Sequence, residues 1–350
     1  MTRVVVLGGT GYLGARTVEA LRAARLDVAV ASRRGPVQVD SSRTSSFEAL
    51  APFDVVVDLS DTVTSPPDLL VAWCLANGKT VVEATSDAPC VERLAVAHRA
   101  TAGRLVLGGG IFTGVSNLLA RAVADAAGGA EAVTLGIASS PFSGAGRGTV
   151  ALMVGALAVP AVRYVGGVRR EVPGLTRGPT LDFGGHARPT VRMSLAEPSM
   201  VHASTGARDV DVFFAPVPGF LAASFTALPA WLVRQGWYAA LMRGYFSLLR
   251  RVVLRGRATT VELTVTARGA GGAARGFVRA RDGMRAGAAA LAAMVEAVVH
   301  AEAWRGLRYI DDVCALEPIT RRANELAGES LFDVTVPALV DASPGAVTVA

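Results

Sequence analysis

The stretch VVVLGGTGYLGARTVEAL, residues 4–21, constrains this chain more than any other. Arg3 to Leu7 is β-branched and too short for a helix, so it reads as a buried strand. Gly8, Gly9, Gly11 and Gly14 follow in two overlapping registers, GxxGxxG on 8, 11 and 14 and GxGxxG on 9, 11 and 14. From Ala15 to Ala24 the pattern turns helical, with Val18 and Leu21 on one face. Asp27 to Ala31 is a second strand. Strand, glycine turn, helix and strand in this order predict a parallel βαβ unit.

Bare backbone at a strand end serves close approach. Glycines let the chain turn tightly against a pyrophosphate, and the helix start offers it free N–H groups and partial positive charge. Gly8, Gly9, Thr10, Gly11, Tyr12, Leu13 and Gly14 are therefore candidate dinucleotide-binding residues. The alternative is a glycine-rich turn that has lost its ligand. The second strand ends in VAVASRRG, so Ser32, Arg33 and Arg34 stand where an NAD-binding unit usually carries an acid for the ribose. Two guanidinium groups and a hydroxyl suit a 2′-phosphate, which favours NADP(H) over arginines that only solvate a loop. Asp54 to Leu59 reads as a third strand. Ligands of open α/β sheets lie beyond the strand carboxyl ends, so Ser60, Asp61 and Thr62 are expected on the nicotinamide side. A helix from Pro66 and Pro67, carrying Leu69, Leu70, Trp73 and Cys74, precedes strands at Thr80 to Glu83 and at 104–111. Such alternation predicts a doubly wound parallel Rossmann sheet over residues 1–125.

Several chemistries are excluded. The chain has one lysine, Lys79, and residue 75 is leucine, so the YxxxK pair of short-chain dehydrogenases is absent. The same count disfavours Schiff-base chemistry, and no GxSxG elbow occurs. Cys74, Cys90 and Cys314 form no CxxC pair, and His98, His186, His202 and His300 show no ligand spacing, so no metal is expected. The net charge of +6 rests on dispersed arginines without an aromatic stripe, so no nucleic-acid partner is expected. The charge-free run 148–162 is shorter than the ~20 residues that span a bilayer. No leader-like stretch precedes Arg3, and a reduced, cytoplasmic setting is expected.

After the last of these strands comes GGGIFTGVSNLLARAVAD, 108–125. Here the chain resembles the saccharopine dehydrogenase-like oxidoreductases. The resemblance rests on GGTGYLG, on VVVDLSD followed by CLANGKTVVEATSD, on GIFTGVSNLLAR, and on SGAGRGTVALMV at 143–154. It is strongest over about residues 1–160. The family's turn commonly has proline where Thr113 stands, and Glu83 stands near a family aspartate. The resemblance implies hydride transfer with NADP(H), and a second domain whose antiparallel sheet closes over the cofactor.

Residues 126–350 are expected to form that α+β domain, for substrate binding or dimerisation, with its C-terminal helices packing back on the first. AVTLGIASS (132–140), PTVRMSLAE (189–197), RDVDVFFAP (208–216) and TTVELTVTARG (259–269) read as strands, and 285–303 as an alanine-rich core helix. Candidate substrate residues are Asn117, Ser139, Ser143, Arg147 and Thr149. Helix capping is an equal reading of Asn117 and Thr149, and an exposed loop position is the commoner reading of Arg147. Asp182 and His186, in LDFGGHARP, are candidate proton donors or simply a turn.

Residues 219–256 mix aromatics, leucines and five arginines without an acid. They suit core or subunit contact in a homodimer, a lid over an apolar substrate, or peripheral membrane contact. The sequence thus predicts an NADP(H)-dependent oxidoreductase acting on a C=N, C=O or activated C=C bond of a small or apolar substrate. A non-catalytic NADP(H)-binding sensor or scaffold, with or without membrane-surface association, is the opposing reading.

Overall fold

A computed structural model describes residues 2–62, 65–140, 155–156, 159–226, 237, 241, 244, 248, 260–301 and 304–340. The chain divides into two compact units, Met1–Leu118 with Met284–Leu331, and Leu119–Gly283 with Phe332–Ala350. The first unit is thus discontinuous. The division falls at 118/119 rather than at 125/126, and residues 284–331 return to the first unit.

The first unit holds strands β1 (Arg3–Leu7), β2 (Asp27–Ser32), β3 (Val37–Gln38), β4 (Val55–Asp58), β5 (Thr80–Glu83), β6 (Arg104–Leu107) and β15 (Gly306–Tyr309), the last numbered after the strands of the second unit. They form one seven-stranded sheet in the order β15-β6-β5-β4-β1-β2-β3, parallel throughout. Val4, Val5, Val6, Val56, Val57, Val81 and Val82 are fully buried, as a sheet covered on both faces requires. Helix α1 (Tyr12–Ala23) buries Gly14, Thr17, Val18 and Leu21, one stripe at helical spacing. Helices α2 (Asp68–Ala76) and α3 (Ala88–Ala97) connect β4 to β5 and β5 to β6. The strand expected over 104–111 stops at Leu107, because Gly108 and Gly110 take φ of +105° and +76° and break the ladder. The helix 283–300 packs an almost continuous alanine-rich surface into this unit; a Cβ at Gly109 would meet Leu291 Cδ1 at 2.7 Å.

The second unit carries a mixed, mainly antiparallel sheet. Its strands are β7 (Ala132–Ser139), β8 (Ala161–Val165), β9 (Val168–Val172), β12 (Asp209–Pro216), β13 (Val261–Gly269), β14 (Gly272–Ala280) and β16 (Phe332–Val340). The order is β16-β14-β13-β7-β12-β8-β9, with β7 and β12 parallel and the other pairs antiparallel. Strands expected at 132–140, 208–216 and 259–269 are present with small changes of boundary.

The strand expected at 189–197 is not there. Val191 makes isolated bridges to Arg177 and Phe214, and a helix begins at Glu197. Pro189 has no N–H to donate, and Thr190, Val191, Met193, Ser194 and Leu195 are all buried, so the apparent alternation does not separate two faces. A short hairpin, β10 (Leu181–Asp182) with β11 (Ala187–Arg188), lies on the sheet instead. It seats on Gly136, where a Cβ would meet Leu181 Cδ1 at 2.8 Å and Phe183 Cζ at 2.9 Å.

Among the described residues no helix is long and apolar enough to cross a membrane. Most of 219–256 lies outside them, as do the expected helix cap at Thr149 and most of the helix it would start.

Candidate functional site

In the first unit the strand order runs outward in both directions from β1 and β4, which places a topological switch point between them. The glycine loop opens there. Gly8 takes φ of +71°, which an L side chain resists, and a Cβ on it would lie 2.6 Å from Leu59 O. A Cβ on Gly14 would lie 2.2 Å from Gly8 O, a contact no relaxation of a flexible side chain relieves. The loop closes on itself through Gly11 N–H donating to Gly8 O at 2.8 Å. Gly11 caps α1 without a side-chain acceptor, and the first turn carries no acid. The amides of Tyr12, Leu13 and Gly14 therefore begin a helix whose own first turn supplies no anionic side chain to its positive end. Thr10, Gly11 and Tyr12 are exposed. This cradle fits a diphosphate by shape and by charge.

At the end of β2, Ser32 is half-buried and Arg33 and Arg34 are exposed. Ser32 O accepts from Gly35 and Val39 N–H at 3.3 and 3.2 Å, folding the two arginines into a tight turn. Asp40 adds an acid that the motif alone does not reveal. Its carboxylate accepts from Ser42 N–H and Oγ–H at 3.0 and 2.6 Å and lies 3.8 Å from Arg43. The Ser42 hydrogen bonds, then the Arg43 and Arg33 charges, hold its pKa below the ordinary value. Arg43 joins the basic group at this edge.

The ends of β4 and β5 bring two carboxyl groups together. Asp58 and Glu83 are register partners on adjacent parallel strands, so they share one face, and each is 1% exposed. Asp58 Oδ1 accepts from Ser60 N–H at 2.8 Å and Glu83 Oε1 from Thr85 N–H at 3.1 Å. Among the described residues Asp58 Oδ2 and Glu83 Oε2 have no hydrogen-bond partner. Burial pushes both pKa values up, and the nearby Asp58 charge raises Glu83 further, while Ser60 opposes the shift at Asp58. Asp61 is half-buried, and Thr62 is buried with its hydroxyl 3.0 Å from that of Thr85. Cys74 and Cys90 are buried free thiols whose pKa values burial raises, Cys74 to about 12, which disfavours the reactive thiolate. Among the described residues no group of His, Cys, Asp and Glu is arranged to hold a metal.

Beyond β6, Thr113 takes φ of +56°, a left-handed conformation closed to the proline that the resemblance leads one to expect there. Its hydroxyl donates to Phe112 O and lies 3.2 Å from Thr85 O. Asn117 follows, fully buried near the start of the helix Ser116–Ala126, and neither of its amide atoms has a hydrogen-bond partner among the described residues. Its side chain is therefore not a helix cap.

The remaining candidates belong to the second unit. Ser139 ends β7 and is buried, its carbonyl accepting from Val217 N–H at 3.0 Å. Asp182 accepts from Gly185 N–H at 2.8 Å and from Arg275 at 2.5 Å, while His186 is exposed at the tip of the same hairpin. The turn and the Arg275 pair account for Asp182. Ser143, Arg147 and Thr149 lie outside the described residues.

No family model and no curated protein matches this chain. Solved structures do. Saccharopine dehydrogenase (L-Glu forming) from Saccharomyces cerevisiae aligns over 96% of this chain and 100% of its own, at 15% identity and a TM-score of 0.59. DAP dehydrogenase from C. glutamicum aligns over 89% of this chain and 94% of its own, at 13% identity and a TM-score of 0.47. At such identities the likeness is one of architecture, and the chain has the two-part α/β fold of saccharopine dehydrogenase.

Proposed function

We propose that this protein is an NADP(H)-dependent oxidoreductase. One observation carries the reading: a glycine cradle at the switch point, closed to any Cβ at Gly8 and Gly14, opens onto a helix start with no acid in its first turn. The backbone of Gly8–Gly14 holds the pyrophosphate, and Ser32, Arg33 and Arg34 hold the 2′-phosphate. Ser60 and Asp61, after the end of β4, would face the nicotinamide half. When bound, the cofactor supplies or accepts the hydride, and the protein orients it against a C=N, C=O or activated C=C bond. Asn117 is assigned to the substrate side because its buried amide has hydrogen-bonding capacity that the chain does not use.

Nicotinamide fluorescence titration tests the cofactor choice. NADPH is expected to bind at least about tenfold more tightly than NADH, since a charge-assisted contact contributes ~1.5–3 kcal/mol. Arg33→Ala/Arg34→Ala is expected to erase that ratio while leaving NADH affinity in place. Equal affinities in the unaltered protein would refute the 2′-phosphate assignment. A screen of imines, ketones and enones with NADPH then separates an enzyme from a binding-only protein by turnover.

A further inference from the structure

The parallel strands β2 and β3 end together. Ser32 and Gln38 are register partners, and Val39 N–H donates to Ser32 O at 3.2 Å, so the chain leaves both strands at one edge of the sheet. On the β2 side the turn through Arg33 and Arg34 is tight. Gly35 N–H donates to Ser32 O, and a Cβ on Gly35 would lie 2.7 Å from Ser32 Oγ. On the β3 side Arg43 N–H donates to Asp40 O at 2.9 Å and closes a second turn. Ser46 pins both ends of it: its hydroxyl accepts from Asp40 N–H at 3.0 Å and donates to Arg43 O at 2.7 Å. Two built turns at one edge therefore carry Arg33, Arg34 and Arg43.

Between Asp27, at the other end of β2, and Glu48, the chain carries three arginines and one acid, Asp40. Asp27 pairs with Arg3. Ser42 fixes Asp40 Oδ1, and Oδ2 lies 3.8 Å from Arg43 Nε, an ion pair too long for a hydrogen bond. Arg43 and Arg33 both act on this carboxylate through their charge. Among the described residues none of the three guanidinium groups donates a hydrogen bond. The Arg43 side chain is 77% exposed, that of Asp40 26%. One half-buried carboxylate is thus the counter-ion of arginines whose donors are unspent. A phosphate monoester carries about −1.5 to −2 charges at pH 7. Three arginines less one carboxylate balance that charge; two arginines less one do not.

We infer, resting on the NADP(H) reading, that Arg43 is the third arginine of the 2′-phosphate site. Asp40 is its resident counter-ion, which the phosphate displaces and which limits the preference for NADPH over NADH. With Arg33 and Arg34 removed, Arg43 and Asp40 cancel, so that pair of changes is enough to erase the preference.

Fluorescence titration of the full chain with NADPH and with NADH tests this. The ratio of the two affinities is the readout, because a change that only disturbs the fold weakens both cofactors alike. Arg43→Ala is expected to weaken NADPH at least about threefold and to leave NADH unchanged, and Arg43→Lys, which keeps the charge, to lose less. Asp40→Asn keeps an acceptor for Ser42 and removes the charge. It is expected to tighten NADPH about two- to fivefold without moving NADH, an effect that shrinks in high salt. If Asp40→Asn weakens both cofactors alike, the turn has been disturbed and the Arg43 variants decide. A ratio unmoved by Arg43→Ala, or lowered by Asp40→Asn, overturns the inference. Where Arg33→Ala/Arg34→Ala still erases the preference, such a result leaves the NADP(H) reading standing. Equal affinities in the unaltered protein overturn both.

Discussion

A single methyl group at residue 14 reaches further than its size suggests. Its carbon would lie 2.2 Å from Gly8 O, which is backbone and cannot rotate away. Gly14→Ala is expected to lower NADPH affinity at least about tenfold and to destabilise the unit by ~1–3 kcal/mol, measured by fluorescence titration and chemical denaturation. Glu83 gives a pH signature. Its folded pKa is raised, first by burial and then by Asp58, so its contribution to stability is fully present below the ordinary glutamate value and is lost as pH rises towards the folded value. Glu83→Gln is therefore expected to gain stability over the unaltered chain between pH 5 and 8, by at most about 1.4 kcal/mol per pH unit per proton. Urea denaturation across that range checks the sign; a gain that shrinks with rising pH would contradict it. The glycines were legible in the sequence because spacing alone states their role. The closeness of Asp58 and Glu83 was not: it depends on which strands become neighbours, and their burial depends on what covers the strand ends.

Elements with one clear period were legible, and those serving two environments were not. Helix α1 shows its stripe in sequence and buries it in the structure. The run 189–197 alternates in sequence yet is buried almost throughout, so a two-faced strand was the wrong model for it. Strands β8, β9, β14 and β16 carry no such clear period; β9, for example, is mostly exposed and arginine-rich, which hides any apolar alternation. The helix 283–300 was legible as core, but its fit against the loop after β6 was not. A Cβ on Gly109 would press on Leu291 Cδ1 at 2.7 Å and on Ala84 Cβ at 3.1 Å. Gly109→Ala is expected to cost ~1–3 kcal/mol, and Gly109→Ala/Leu291→Ala less than the sum of the single changes. Additive losses in thermal unfolding would contradict this contact.

At the scale of the molecule, the parallel sheet is finished by residues that follow the long segment Leu119–Gly283 of the second unit in sequence. Strand β15 pairs with β6 through Gly306↔Arg104, Leu307↔Leu105, Arg308↔Val106 and Tyr309↔Leu107. A fragment of residues 1–125 therefore lacks a sheet edge and the helix 283–300, and is expected to aggregate or to lack a cooperative transition in circular dichroism. Joining 1–118 to 284–331 through a flexible linker is expected to restore one. No local pattern marked 306–309 as a seventh strand, since its partner lies about 200 residues away in the chain.

The proposed function requires the loop after β1 to hold a dinucleotide phosphate. Hydrogen-exchange mass spectrometry of the intact protein, with and without NADPH, tests it most directly. Slowed exchange is predicted in peptides covering residues 8–16 and 32–35. Unchanged exchange in both at saturating NADPH, or protection confined to other segments, would contradict the claim.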